Sequence, residues 1–164
     1  MDELVAVSAR LSRAVLLAAC ACLAALGVVV IYGVVMRYVF NHAPPYVEQL
    51  ALLLVISVAM FGAAAGVRDA GHIGLDSVTR RLPPRIRFAL GVAVDLLTLL
   101  FAVILLWGSL RMSLSTWHDT IPTLGISEAF RYLPPIIASV LIMLFSIEHA
   151  LVGFARPKAE ASWN

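Results

Sequence analysis

The chain has 164 residues, enough for one domain of ordinary size, and Ala, Val, Ile, Leu, Met, Phe, Trp, Tyr and Cys make up 62% of it. Charged residues are 13%, half the roughly 25% of a soluble globular domain, and mean hydropathy is +0.96. Twelve Lys and Arg against ten Asp and Glu give a net charge of +2, too small and too scattered for a nucleic-acid groove, so a soluble enzyme and a nucleic-acid-binding domain are both excluded.

The first apolar stretch runs from Ala14 to Met36, 23 residues without a charge. A signal peptide has an apolar core of about 7–15 residues and a positive start. Here the run is longer and Asp2 and Glu3 dilute the start, so it reads as a retained transmembrane helix. Cys20 and Cys22 lie two apart within it, nearly opposite each other on a helix. They read as small apolar fillers rather than a reactive pair, which argues against a membrane thiol oxidoreductase.

Asn41-His-Ala-Pro44-Pro45 is a tight polar turn, with Arg37 closing the first span and Glu48 opening the second. The two charges form either an interfacial ion pair with snorkelling ends or a contact with another subunit. Span two, Leu50 to Val67, has 18 uncharged residues and carries Gly62-x-x-x-Gly66 flanked by Ala59 and Ala63, a close-approach motif for a neighbouring helix. Beyond it, Leu75, Val78 and Leu82 share one helical face, and His72, Asp76 and Arg80 follow at i, i+4 on another. That pattern predicts a short amphipathic helix in the interface between the second and third spans. His72 and Asp76 lack a third ligand nearby, so a solvated face is preferred to a metal site.

Span three, Phe88 to Leu110, has 23 residues with one acid, Asp95. Gly91, Asp95, Thr98 and Ala102 align in one stripe, and Ser139, Ser146 and Gly153 do so in span four; both read as packing seams rather than a transport path. In the loop between them, Ile121 to Ser127 reads as an extended stretch, a turn, and a helix start capped by Ser127. Span four, from about Pro134 to Ala155, ends with Glu148 and His149 inside it. A charge inside the membrane is costly unless paired or wetted, so Asp95 is expected to face span four or another subunit. It finds there either His149 or another polar mate, or it is protonated and bonded to a backbone carbonyl or a serine.

The fold expected is an all-α integral membrane protein, one four-helix unit over residues 1–164 with spans at about 14–36, 50–67, 88–110 and 134–155. Nine basic residues (Arg10, Arg13, Arg68, Arg80, Arg81, Arg85, Arg87, Arg156 and Lys158) fall on one side, against Arg37, Arg111 and Arg131 on the other. The positive-inside rule puts both termini in the cytoplasm. Tyr38, Phe40, Tyr46, Trp107, Trp117 and Tyr132 then form the outer aromatic boundary.

Several segments, taken in order, resemble one family. They are Arg37-Tyr-Val-Phe-Asn41, Glu48-Gln-Leu, Gly71-His72-Ile73-Gly-Leu-Asp76, Leu82-Pro, Thr123-Leu-Gly125-Ile126 and Tyr132-Leu-Pro134. Together they resemble the small four-helix permease subunit of tripartite ATP-independent periplasmic (TRAP) transporters, the DctQ-like family. The chain departs from that family where Tyr46, Glu48 and Gln49 stand in place of Trp and paired acids. It departs again where Ser127 and Glu128 follow the Leu-Gly-Ile motif.

The resemblance implies a non-enzymatic subunit without a cofactor in the bacterial inner membrane. It implies a large permease that holds the ion and substrate sites, and a periplasmic binding protein that delivers a small, often carboxylate-bearing solute. Subunit-interface candidates are Arg37, Glu48, Gly62, Gly66, His72, Asp76 and Asp95, and Asp95 and His149 form the candidate intramembrane pair. Two rival readings stand beside this one. A haem anchor has only His149 within a span to offer, and a self-contained exporter has Asp95 or Glu148 as its coupling acid.

Overall fold

The computed structural model describes the backbone of residues 2–79, 84–123 and 125–155, and the side chains of 8–68, 86, 89–123 and 125–148. Four α-helices are present among them: α1 (Asp2–Tyr38), α2 (Pro45–Thr79), α3 (Pro84–Ser115) and α4 (Leu133–Ala155). A 3-10 helix, Glu128–Tyr132, leads directly into α4. Each α-helix encloses one of the four expected spans, and each carries a segment long and apolar enough to cross a membrane. No strand is present among the described residues beyond an isolated Thr120–Ser127 bridge.

Helix ends follow local chemistry. Past Tyr38 the chain turns at Asn41, whose φ of 50° is one that Asn tolerates better than most residues. The Val39 and His42 amides donate to the Val35 and Met36 carbonyls at 2.8 and 3.0 Å, so two of the last carbonyls of α1 are satisfied within the chain. Proline at the start of α2 and in the first turn of α4 removes only amides that a first turn leaves unpaired.

The short helix expected between spans two and three is not set apart, because α2 continues without a break from Pro45 to Thr79. Gly71 and Gly74 each cost about 1 kcal/mol of helix propensity but no proline interrupts the run before Pro83. The side chains of His72, Leu75, Asp76 and Val78, and all of Arg80 and Leu82, lie outside the described residues. At 1.5 Å per residue the 37 residues of α1 and 35 of α2 extend about 55 and 52 Å, well beyond an apolar bilayer core of about 30 Å.

Packing is serial rather than all-round. α1 lies along α2, α2 along α4, and α4 along α3, with a light contact of α1 on α4. The helices therefore form a layer in the order α1, α2, α4, α3. Gln49 bonds Arg131 near the start of both central helices, and Ala64 joins Phe145 in the core further along, so α2 and α4 run parallel. The core brings together Val15, Ala64, Ala102, Ala138, Leu141, Ile142 and Phe145, from all four helices. α4 is central to it: 44% of its span is buried, against 17% for α2 and 6% each for α1 and α3.

The seam between α3 and α4 is small-sided. Ala102, Ser109 and Ser113 are buried on α3, and Ala138, Ser139 and Ser146 on α4. Hydroxyls inside the spans mostly bond back to their own helix, as a bilayer requires. Ser57 donates to Leu53 O, Thr98 to Val94 O and Ser139 to Ile136 O. The Ser146 hydroxyl is buried without a hydrogen-bond partner among the described residues.

Candidate functional site

Among the described residues the candidates do not converge on one pocket. They distribute over the two ends of the layer and over the outward faces of its central helices.

At the end that carries the α1–α2 turn and the α3–α4 connection, charged and polar side chains tie the elements together. Arg37 Nη2 donates to Glu48 Oε1 at 3.1 Å, with the two side chains 57% and 74% exposed. The sequence left an ion pair and a subunit contact open, and the pair forms within the chain. One turn deeper, the Tyr32 and Tyr46 hydroxyls lie 3.0 Å apart and join the same two helices. Arg131 reaches across the layer, donating through Nη2 to Gln49 Oε1 at 2.8 Å and pairing through Nη1 with Glu128 at 3.1 Å. It fastens the α3–α4 hairpin to the first turn of α2, from a site only a quarter exposed.

The long connection is folded rather than loose. Ser127 caps the 3-10 helix as expected, accepting from the Ala129 amide, and it donates to Trp117 O at 2.8 Å. Amides of Ile121 and Glu128 donate to Ile126 O and Asp119 O across the turn. Gly125 takes φ 66°, a conformation that glycine adopts without steric cost. Tyr38, Phe40, Trp117 and Phe130 are exposed around this end.

On α2 the small-residue motif faces away from the chain. A Cβ built on Gly62 or on Gly66 meets nothing within 4 Å, and Ala59 and Ala63 are exposed beside them. The close approach between helices occurs instead at Gly33 of α1, where a Cβ would stand 2.7 Å from Val47 Cγ1 of α2. Nothing in the apolar run distinguishes Gly33 from Gly27, so no local signal marks it. Arg131 entered the sequence reading only as a charge, because a partner 82 residues away has no local signature.

Asp95 is half-buried on α3, in the stripe that also holds the buried Ala102, and it is not without a partner. The side chains of His149, His72 and Asp76 lie outside the described residues, so the Asp95–His149 pair stays an expectation. Among the described residues no cluster of three His, Cys, Asp or Glu is placed to hold a metal ion. An open apolar groove of about 310 Å³ runs along α3 under Tyr132, lined by Phe101, Ile104, Gly108 and Met112 among others.

Comparison with known proteins places this architecture. Residues 26–156 match the family model for tripartite ATP-independent periplasmic transporters, DctQ component. A protein of Haemophilus influenzae named as a TRAP transporter small permease is 25% identical over 121 residues, covering 72% of this chain and 73% of the relative. The C4-dicarboxylate TRAP transporter small permease protein DctQ of Rhodobacter capsulatus is 32% identical over 114 residues, 68% of this chain and 49% of that one. The sialic acid TRAP transporter permease protein SiaT of Haemophilus influenzae is 29% identical over 135 residues, which are 80% of this chain but only 21% of SiaT. Four membrane-crossing helices and a family match over most of the chain establish a multi-pass membrane protein that belongs to the DctQ small-permease family of TRAP transporters.

Proposed function

We propose that this chain braces a large permease for ion-gradient-driven uptake of a small carboxylate-bearing solute, which a periplasmic binding protein delivers. The observation that carries the reading is the SiaT match, in which a unit like this chain forms about a fifth of one longer permease polypeptide. A unit fused to a permease in one protein is well suited to be its separate subunit in another. The solute class follows from the names of two relatives, whose sialic acid and C4-dicarboxylate both bear carboxylates.

A brace must hold its shape while a neighbour moves. The Arg131 links, the Arg37–Glu48 pair and the Gly33–Val47 contact tie the helices of the layer to one another near one end. The nine-to-three distribution of basic residues supports cytoplasmic termini, which puts that end on the periplasmic side of the bacterial inner membrane. There its exposed aromatic and charged groups are within reach of a delivered binding protein. Arg37, Glu48, Gly62, Gly66, His72, Asp76 and Asp95 are the residues proposed to meet other subunits. Asp95 is proposed to hydrogen-bond His149 or a polar group of the permease.

The test is co-expression with the large permease and the binding protein, followed by affinity purification through this chain and uptake assays in cells. Recovery of the permease and loss of uptake on deletion of this chain are expected. Full uptake without the chain overturns the proposal.

A further inference from the structure

We propose that the groove on α3 binds one phospholipid of the leaflet at the connection end, with an acyl chain lying along the groove and the phosphate held by Arg111. In the orientation supported above that leaflet is the periplasmic one. The site stands whether or not the chain braces a permease.

The groove has the dimensions of an acyl-chain slot. It runs along α3 from Phe101 to Met112, over Ile104 and Gly108, and Tyr132 lines it at the connection end. The rise from Phe101 to Met112 is about 17 Å, close to the roughly 15 Å that one leaflet contributes to an apolar core of about 30 Å. The slot is deepened at Gly108, where a Cβ would meet nothing within 4 Å. Toward the other leaflet it stops: Leu97, one turn before Phe101 and in line with it, stands 65% exposed. A transmembrane helix is about 10–12 Å across and needs a seat along the whole core. A slot half that length accepts a chain of methylenes and not a helix.

Charge names the head group. Three arginines stand at the connection end, and two are neutralised within the chain, Arg37 by Glu48 and Arg131 by Glu128. Arg111 is exposed and, among the described residues, makes neither an ion pair nor a hydrogen bond. It lies three residues past Gly108 and seven past Ile104, on the helix face that carries the groove. An arginine stem follows apolar surface while its guanidinium reaches the head-group level, where a phosphodiester accepts two of its N–H groups. Trp107, 66% exposed and one turn before Arg111, has the amphipathic ring that settles at that level. Arg111 calls for an anion and the slot beside it for a long hydrocarbon tail, and a phospholipid supplies both. A net negative one such as phosphatidylglycerol is favoured over a zwitterionic one, whose own cation competes with Arg111.

The test reconstitutes the purified full chain, alone and with the large permease, into phosphatidylcholine vesicles. These carry a trace of phosphatidylglycerol with a photoreactive diazirine midway along its acyl chain. After illumination, adducts are mapped by peptide mass spectrometry. Adducts concentrated between Phe101 and Met112, well above those at the exposed Leu17 and Val28 of α1, are expected. Unlabelled phosphatidylglycerol suppresses them more strongly than added phosphatidylcholine. Arg111→Gln lowers them about fivefold, the effect of one arginine at an anionic lipid surface. Gly108→Leu fills the slot and removes them, whereas Gly91→Leu, at a glycine equally open but outside the groove, leaves them unchanged.

Labelling of α3 no greater than that of α1 overturns the site in favour of ordinary bulk lipid. Unchanged labelling of Arg111→Gln, or equal suppression by the two lipids, overturns the role of the charge and the site with it. Suppression by inorganic phosphate as strong as by phosphatidylglycerol overturns the acyl-chain slot. Labelling present in the chain alone and lost when the permease is bound gives the groove to the permease and overturns the lipid site. If Gly108→Leu fails to fold, Arg111→Gln and the competing lipids still decide.

Discussion

Alanine at Gly33 introduces one methyl group into the closest contact between α1 and α2. Its carbon would stand 2.7 Å from Val47 Cγ1 and 3.8 Å from Val47 Cβ, where carbon atoms prefer about 3.5–4.0 Å. Val47 is buried, and a β-branched side chain in a helix has one strongly preferred rotamer. The methyl therefore cannot swing aside, and the helices must separate by most of an ångström or Val47 must leave its rotamer. Overpacking of this kind costs about 1–3 kcal/mol, against a gain of about 1 kcal/mol when Ala replaces Gly in a helix. Gly27 is the internal control, on the same helix with nothing within 4 Å of its Cβ, so Gly27→Ala receives the gain alone. The two variants should differ by about 1–3 kcal/mol, with Gly33→Ala the less stable. Reversible unfolding of the purified chain in mixed micelles, titrated with a denaturing detergent, reads that difference. Combining Gly33→Ala with Val47→Ala removes Cγ1 and should recover most of the overpacking loss, which a double-mutant cycle isolates. Equal stability of the two glycine variants, or a double variant with no coupling, refutes the reasoning.

Four further outcomes follow from the same geometry. Arg131→Met breaks the link to Gln49 and Glu128 at a mostly buried site and should destabilise the chain by about 1–3 kcal/mol, with coupling to Gln49→Leu in a cycle; a change no larger than for a surface arginine contradicts it. Glu48→Gln removes an ion pair whose side chains are 57% and 74% exposed, so unfolding should shift by less than about 1 kcal/mol and the shift should vanish at high salt. Ser146→Ala removes a buried hydroxyl that has no partner among the described residues and should leave stability unchanged or raise it by up to about 1 kcal/mol, whereas a loss exposes a bond not seen here. Single cysteines at Thr79 and Thr120, in the cysteine-free background, should react with an impermeant thiol reagent from opposite sides of the membrane; reaction of both from the periplasm overturns the charge-based orientation.

The four membrane helices were legible because each apolar run is as long as a bilayer is thick, and the Ser127 cap because its signal is local. The buried Ala102, Ser139 and Ser146 were likewise foreshadowed by small-residue spacing, which marks a helix face that packs. That spacing does not say against what: Gly62-x-x-x-Gly66 has the pattern of a close contact, yet a Cβ at either glycine meets nothing within 4 Å among the described residues. The extension of α2 to Thr79 was missed because polar i, i+4 periodicity is the same whether a helix starts anew or continues. The layer order α1, α2, α4, α3 was equally out of reach. It depends on side-chain shape at sites such as Gly33 and Val47, and on pairings such as Gln49–Arg131 that join distant parts of the chain.

The most direct measurement is solute uptake into proteoliposomes under an imposed ion gradient, with the large permease, the binding protein and this chain present together or omitted one at a time. Uptake should require all three, and omission of this chain should reduce it to the level of empty vesicles. Undiminished uptake by the permease and binding protein alone, or uptake by this chain alone, would contradict its role as a bracing subunit.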